Sequence, residues 1–129
     1  MPYDFTNKVC LITGAGSGIG RATAQKINSL GGKLALSDIN ETGLSETAKL
    51  CSGDIYTEVS SVADATACTT FVDNSAAHFN GALHFVFNCA GVNPTGIDLT
   101  DTTDEYFDKL VSTNLKGTFA ITRAAIPHL

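Results

Sequence analysis

The sequence has no surplus of basic residues. Eight Lys and Arg stand against 13 Asp and Glu, for a formal charge of -5, and the cations are scattered singly along the chain. That distribution offers no positive stripe for a polyanion, so nucleic acid is not an expected partner. Long apolar runs are missing too. Nothing approaches the roughly 18 consecutive apolar residues of a membrane span, and Met1 to Lys8 holds no apolar signal-peptide core. No membrane partner and no secreted context are expected; a soluble cytoplasmic protein is. The four cysteines, Cys10, Cys51, Cys68 and Cys89, form no C-x-x-C pair, and His78, His84 and His128 have no ligand-like spacing. Disulfide frameworks and metal sites are therefore set aside. The cysteines read as reduced core thiols and the histidines as surface or edge residues.

What is present suits one α/β domain. With 129 residues, 43% of them hydrophobic, and 12 glycines, the chain has material for a single core and no room for a linker between two. Short β-branched or apolar runs alternate with longer stretches of helical period, the pattern of βαβ units around a parallel sheet. Strands are expected at Val9 to Thr13, Lys33 to Ser37, Asp54 to Val59 and Leu83 to Asn88. Helices are expected at Ile19 to Leu30 and Glu41 to Leu50. A third should follow the S-x-x-D signal at Ser61 to Asp64 and reach Phe79, and a fourth should run from a capping box at Thr102 to Glu105 as far as Ala125. Gly31-Gly32 should stop the first helix. On the last one Phe107, Leu110, Val111, Asn114, Thr118 and Ile121 recur at three-four spacing, which predicts a stripe packed on the sheet with Asn114 as its polar exception. Gly117, inside that helix, costs about 1 kcal/mol against alanine. Either another group comes close there or the helix is weak.

The chemistry is concentrated between the first strand and the first helix. There Thr13-Gly14-Ala15-Gly16-Ser17-Gly18-Ile19-Gly20 offers backbone amides and a helix N-terminus to a pyrophosphate. The spacing is G-x-x-x-G-x-G at Gly14, Gly18 and Gly20 rather than G-x-G-x-x-G, since neither Ile19 nor Arg21 supplies a last glycine. Four glycines in seven residues exceed what a plain turn requires. Asp38 closes the second strand twenty positions beyond Gly18, where its carboxylate can accept hydrogen bonds from an adenosine ribose. The plainer alternative for it is a turn or N-cap residue before the second helix. A 2′-phosphate beside Asp38 would be repelled, and Ala15, Gly16 and Ser17 bring no cation to neutralise one. The expected cofactor is NAD, with NADP disfavoured. Replacing Asp38 by serine while placing arginine at Ala15 is expected to reverse that order.

In these residues the chain resembles the short-chain dehydrogenase/reductase family. The run Thr13-Gly14-x-x-x-Gly18-x-Gly20 is similar to that family's cofactor motif, which assigns Gly14, Ser17, Gly18, Ile19 and Gly20 to the dinucleotide. Glu58-Val59 resembles the acidic-Val pair that ends the third strand and faces the adenine ring, with Glu where the family usually has Asp. Asn88-Cys89-Ala90-Gly91 resembles the N-N-A-G motif that ends the fourth strand, with Cys89 in place of the second, sheet-stabilising asparagine; it adds Asn88, Ala90 and Gly91 to the cofactor set. Asn114, within Thr113-Asn114-Leu115-Lys116-Gly117, corresponds to the asparagine that supports the family's catalytic lysine through a water. It is the one catalytic residue that the resemblance assigns. These motifs stand in the family's order over essentially the whole chain.

The resemblance implies a Rossmann-type, three-layer α/β fold with a parallel sheet in the order 3-2-1-4, truncated to about four strands. It implies hydride transfer between NAD(P) and a small-molecule alcohol or ketone. Family members are usually about twice as long, and their acid-base chemistry rests on a serine and a Y-x-x-x-K pair. Here Tyr3, Tyr56 and Tyr106 are followed four positions on by Asn7, Ser60 and Leu110. Without the tyrosine and lysine, hydride transfer has no proton partner. The expectation is thus the N-terminal half of such an enzyme, inactive as it stands. The alternative is a non-catalytic dinucleotide-binding or interaction module, forming a homo- or hetero-oligomer with a full-length relative through the exposed edge of the fourth strand. The absence of G-x-x-x-x-G-K-[ST] argues against a P-loop protein.

Overall fold

The computed structural model describes residues 3–93 and 96–129. Along the chain run β1 Val9–Thr13, α1 Gly18–Ser29, β2 Lys33–Asp38, α2 Glu41–Lys49, β3 Ile55–Val59, α3 Ala65–His78, β4 Phe85–Asn88, α4 Asp104–Leu110 and α5 Gly117–Ala125. The strands are parallel, as the alternating pattern predicts, and stand in the order β3-β2-β1-β4, as the resemblance implies. Every residue of β1 is buried, which places it centrally. Its side chains alternate between two cores. Val9 and Leu11 join Phe71 and Val72 of α3 and Ile121 of α5, whereas Cys10 and Ile12 join Ala24 of α1 and Leu44 of α2. The result is three layers. Parallel crossovers bring the carboxyl ends of all four strands to one edge, and the order reverses between β1 and β4, where α/β sheets open a crevice. No helix of the described residues is long and apolar enough to cross a membrane.

The last helical stretch departs from expectation. A π-helical segment, Val111–Lys116, separates α4 from α5. Its wider turn changes the phase of everything that follows, so the three-four stripe does not continue across it. Ile121 is 1% exposed, but Phe107 is 63% exposed, and Asn114 and Thr118 are exposed as well. The buried face of α5 is instead Gly117, Ala120, Ile121 and Ala125. A Cβ on Gly117 would stand 2.8 Å from Cγ2 of Val62, so close packing, not a weak helix, explains that glycine.

The helix starts also shift slightly. Thr103 caps α4, its hydroxyl accepting the Tyr106 N–H at 3.1 Å, while the Thr102 hydroxyl donates to the Leu99 carbonyl at 2.7 Å. Glu105 therefore falls at the second helical position and cannot close the reciprocal box. Asp64 itself caps α3, accepting from Thr66 and Ala67. β4 begins at Phe85 rather than Leu83, which is nevertheless buried.

Candidate functional site

At the carboxyl edge of the sheet lies a cleft of about 640 Å³, walled by the glycine turn, Asp38-Ile39, Ser60 to Ala63 and Cys89 to Val92. The turn is built by packing on one side and left open on the other. Gly14, at φ +66°, would place a Cβ 2.8 Å from the Cα of Ala90, and a Cβ on Gly20 would run into the Gly14 carbonyl. Thr13 ties the same corner together: its buried hydroxyl accepts the N–H groups of Cys89 at 3.2 Å and Ala90 at 3.1 Å. Gly18, at φ +50°, has nothing within 4 Å of its missing Cβ. Ser17, the N-cap of α1, makes no side-chain capping bond. The first N–H groups of a helix have no intrahelical partner and carry the positive end of its dipole. The open side of Gly18 is thus shaped and polarised for an anion.

Asp38 is both a turn residue and a cleft residue. Its Oδ2 accepts the Gly16 N–H at 2.8 Å and its Oδ1 the Asn40 N–H at 2.9 Å. The N-cap of α2 is Asn40, which accepts from Gly43 at 3.0 Å. Gly16 must lack a side chain, because a Cβ there would stand 2.8 Å from Cγ of Asp38.

The other motif residues are spread over two sides of this edge. Ala90 and Gly91 line the cleft with Cys89, whose thiol is pushed up by burial. Glu58 lies at the end of β3 with its carboxylate engaged, accepting from the Tyr56 hydroxyl and from Asn74 at 2.7 Å each. Val59 beside it is half-exposed, and Ser60 to Ala63 form the cleft wall at this point. Asn88 donates to the Thr122 hydroxyl of α5 at 3.1 Å. Asn114, in the π-helical segment, holds both backbone groups of Val92: its Oδ1 accepts the N–H and its Nδ2 donates to the carbonyl, both at 2.8 Å. It thereby fixes the loop that leaves β4. Ile39, Lys109 and Thr113 also line the cleft. Thr113 precedes Asn114 in its motif, whereas Ile39 and Lys109 stand outside the motifs and no local spacing marks them.

Residues 8–129 match the family model described as short chain dehydrogenase. Levodione reductase of Leifsonia aquatica is 38% identical over 122 residues, covering 89% of this chain and 45% of that protein. A short chain dehydrogenase/reductase from Burkholderia phymatum, solved in complex with NAD, has a TM-score of 0.91 at 32% identity, over 99% of this chain and 46% of that one. The 3-ketoacyl-(acyl-carrier-protein) reductase of Brucella melitensis, solved with NADH, has a TM-score of 0.91 at 26% identity, over 97% and 51% respectively. The chain spans about half the length of the curated relatives it matches. A match running from the start of β1 through α5, on a sheet of this strand order, makes the chain a member of the short chain dehydrogenase family.

Proposed function

We propose that the chain binds NAD, in preference to NADP, as the dinucleotide half of an enzyme moving a hydride between that cofactor and an alcohol or ketone. The observation that carries this reading is an open, positive-φ Gly18 at the head of α1 beside an Asp38 carboxylate held at the end of β2. The pyrophosphate would rest on the backbone of Gly18, Ile19 and Gly20 and on the Ser17 hydroxyl, with Gly14 closing the turn beneath. Asp38 would accept from the ribose hydroxyls. The adenine would lie toward Ile39 and the end of β3 at Glu58-Val59, and Ala90-Gly91, braced by Asn88, would border the nicotinamide. Bound there, the nicotinamide supplies the hydride acceptor or donor. Asn114 would act as a positioning residue through Val92. The relatives solved with NAD and NADH are in keeping with this assignment, as four free thiols are with a reducing, cytoplasmic setting.

Titration of the purified chain with NADH and NADPH tests the reading. NADH should bind more tightly, and equal dissociation constants would refute the preference. Reversal needs a cation near the 2′ position, and Ala15 cannot provide it: it is 0% exposed in the core beside Ile12 and Ala24. The arginine belongs at Ile39, which is 70% exposed, so Asp38→Ser with Ile39→Arg is the pair expected to favour NADPH. These 129 residues hold no Y-x-x-x-K, and an absent acid-base catalyst removes about 10² to 10⁴-fold in rate. Binding without turnover of secondary alcohols is therefore expected of this chain, and steady NADH production by a pure preparation would contradict it.

A second reading, an interaction module, draws on the outer face of the π-helical segment and α5. There Leu115, Phe119 and Ile126 are each more than half exposed along a groove of about 750 Å³. β4 has no strand on its far side among the described residues. A partner in this reading is a second copy or a full-length relative.

A further inference from the structure

Arg21 follows the glycine motif directly, yet its side chain folds back over the turn. Its Nη2 donates to the Gly16 carbonyl at 2.7 Å, to the Gly43 carbonyl at 3.1 Å and to the Glu46 carboxylate at 3.0 Å, and its Nε donates to the Thr47 hydroxyl at 2.9 Å. Thr47 is fully buried, and its own hydroxyl donates to the Ala15 carbonyl at 2.7 Å. Two successive carbonyls of the turn are thus tied to α2. Their approach is close: a Cβ on Gly43 would stand 2.7 Å from the Gly16 oxygen. The N–H groups of the same two residues face β2, with Ala15 N–H donating to the Ser37 carbonyl at 3.0 Å and Gly16 N–H to the Asp38 carboxylate at 2.8 Å. The peptide that donates to Asp38, Ala15–Gly16, has its carbonyl held by the Thr47 hydroxyl, which Arg21 Nε engages in turn, and Arg21 itself holds the next carbonyl, that of Gly16.

We propose that Arg21 is a positioning residue: by holding the Gly16 carbonyl directly and the Ala15 carbonyl through Thr47, it fixes the Gly16 N–H and with it the Asp38 carboxylate, and so sets how sharply the cleft separates a free ribose 2′-hydroxyl from a 2′-phosphate. This rests on the dinucleotide reading above. The task needs a guanidinium, because a planar fork reaches acceptors on the turn and on α2 together, whereas an ammonium is a point charge. A role for the charge alone makes the opposite prediction. A cation near Asp38 softens the repulsion of a 2′-phosphate, so deleting it would sharpen the preference for NADH. Deleting a positioning group loosens the carboxylate and blunts the preference.

The experiment titrates the 129-residue chain and its Arg21→Lys and Arg21→Met variants with NADH and NADPH. Loss of charge-assisted hydrogen bonds should weaken NADH binding about tenfold in both variants and narrow the NADH to NADPH ratio by a similar factor. An Arg21→Lys protein with the parental ratio, or an Arg21→Met protein with a wider one, overturns the proposal. Should Arg21→Met fail to fold, Gly16→Ala decides, since it crowds Asp38 while leaving the acceptors of Arg21 in place; an unchanged ratio there also overturns it. Amide exchange at Gly16, read without cofactor, should be slow in the parent and faster in Arg21→Lys. If the parent binds neither cofactor, the dinucleotide reading and the specificity claim fall together, and the exchange rates then show whether the clasp alone stands.

Discussion

At Gly14 an added methyl group would stand 2.8 Å from the Ala90 backbone, whereas at Gly18 it would meet nothing within 4 Å. Both residues have positive φ, so alanine at either carries about 1–2 kcal/mol of backbone strain. Only Gly14→Ala adds overpacking, and it should cost about 2–5 kcal/mol in all. Urea unfolding of the two variants checks the difference, and equal midpoints would contradict it. Gly18→Val should abolish cofactor binding while keeping the far-ultraviolet circular dichroism of the parent, because its branched side chain enters only the open side of the turn. Tyr56 makes a pH prediction. Its phenol is pushed up to about 12, first by burial and then by the hydrogen bond and charge of Glu58. A folded-state value above the ordinary one of about 10 means that stability is complete below about pH 10 and is lost as pH rises toward 12. Cys10, raised by burial to about 12, acts in the same direction. Denaturant midpoints should therefore fall between about pH 9 and pH 11, and Tyr56→Phe should lessen the fall; an equal fall in the variant would contradict the assignment.

Helix starts and the π-helical segment are settled by single side chains whose removal can be measured. Thr103→Ala, which deletes the cap of α4, should cost about 1 kcal/mol, and Thr102→Ala less, because the Thr102 hydroxyl donates to the Leu99 carbonyl and caps no helical N–H among the described residues. A larger loss at Thr102 would mean that the cap lies one residue earlier. The sequence signal had placed this start within one residue, since the capping motif is local. It could not reveal the π segment, because Val111–Lys116 holds no proline or glycine to mark an interruption of the helical pattern. What distinguishes it is a contact: Asn114 grips Val92, 22 residues earlier in the chain, with both halves of its amide. Asn114→Leu should speed amide exchange at Val92 while leaving α5 protected. Unchanged exchange there would mean that the loop after β4 is held by something else.

Across the whole molecule the sheet is covered by α1 and α2 on one face and by α3 and α5 on the other. Phe85 on the β4 edge, and Leu115, Phe119 and Ile126 along α5 and the segments flanking it, carry large apolar side chains into solvent. Exposed strand edges and apolar faces favour pairing with another chain. Sedimentation of the chain should therefore show association that rises with concentration, and Phe119→Glu should shift it toward monomer. A parent that stays monomeric at high concentration would remove the ground for the interaction-module reading.

The strands, the helices between them and the glycine turn were legible because they rest on periods of two and 3.6 residues and on turn chemistry, all encoded within short windows, whereas strand order and layer count came from the family resemblance. The four strands from Val9 to Asn88, the turn from Gly14 to Gly20 and the carboxylate at Asp38 can therefore be read along the chain. Tertiary structure decided what those residues touch. Glu58 pairs with Asn74, Asn88 reaches Thr122, and Arg21 meets Thr47 across 26 positions of chain. Partners that distant are chosen by how α2, α3 and α5 pack on the sheet, and no spacing along the chain specifies that packing.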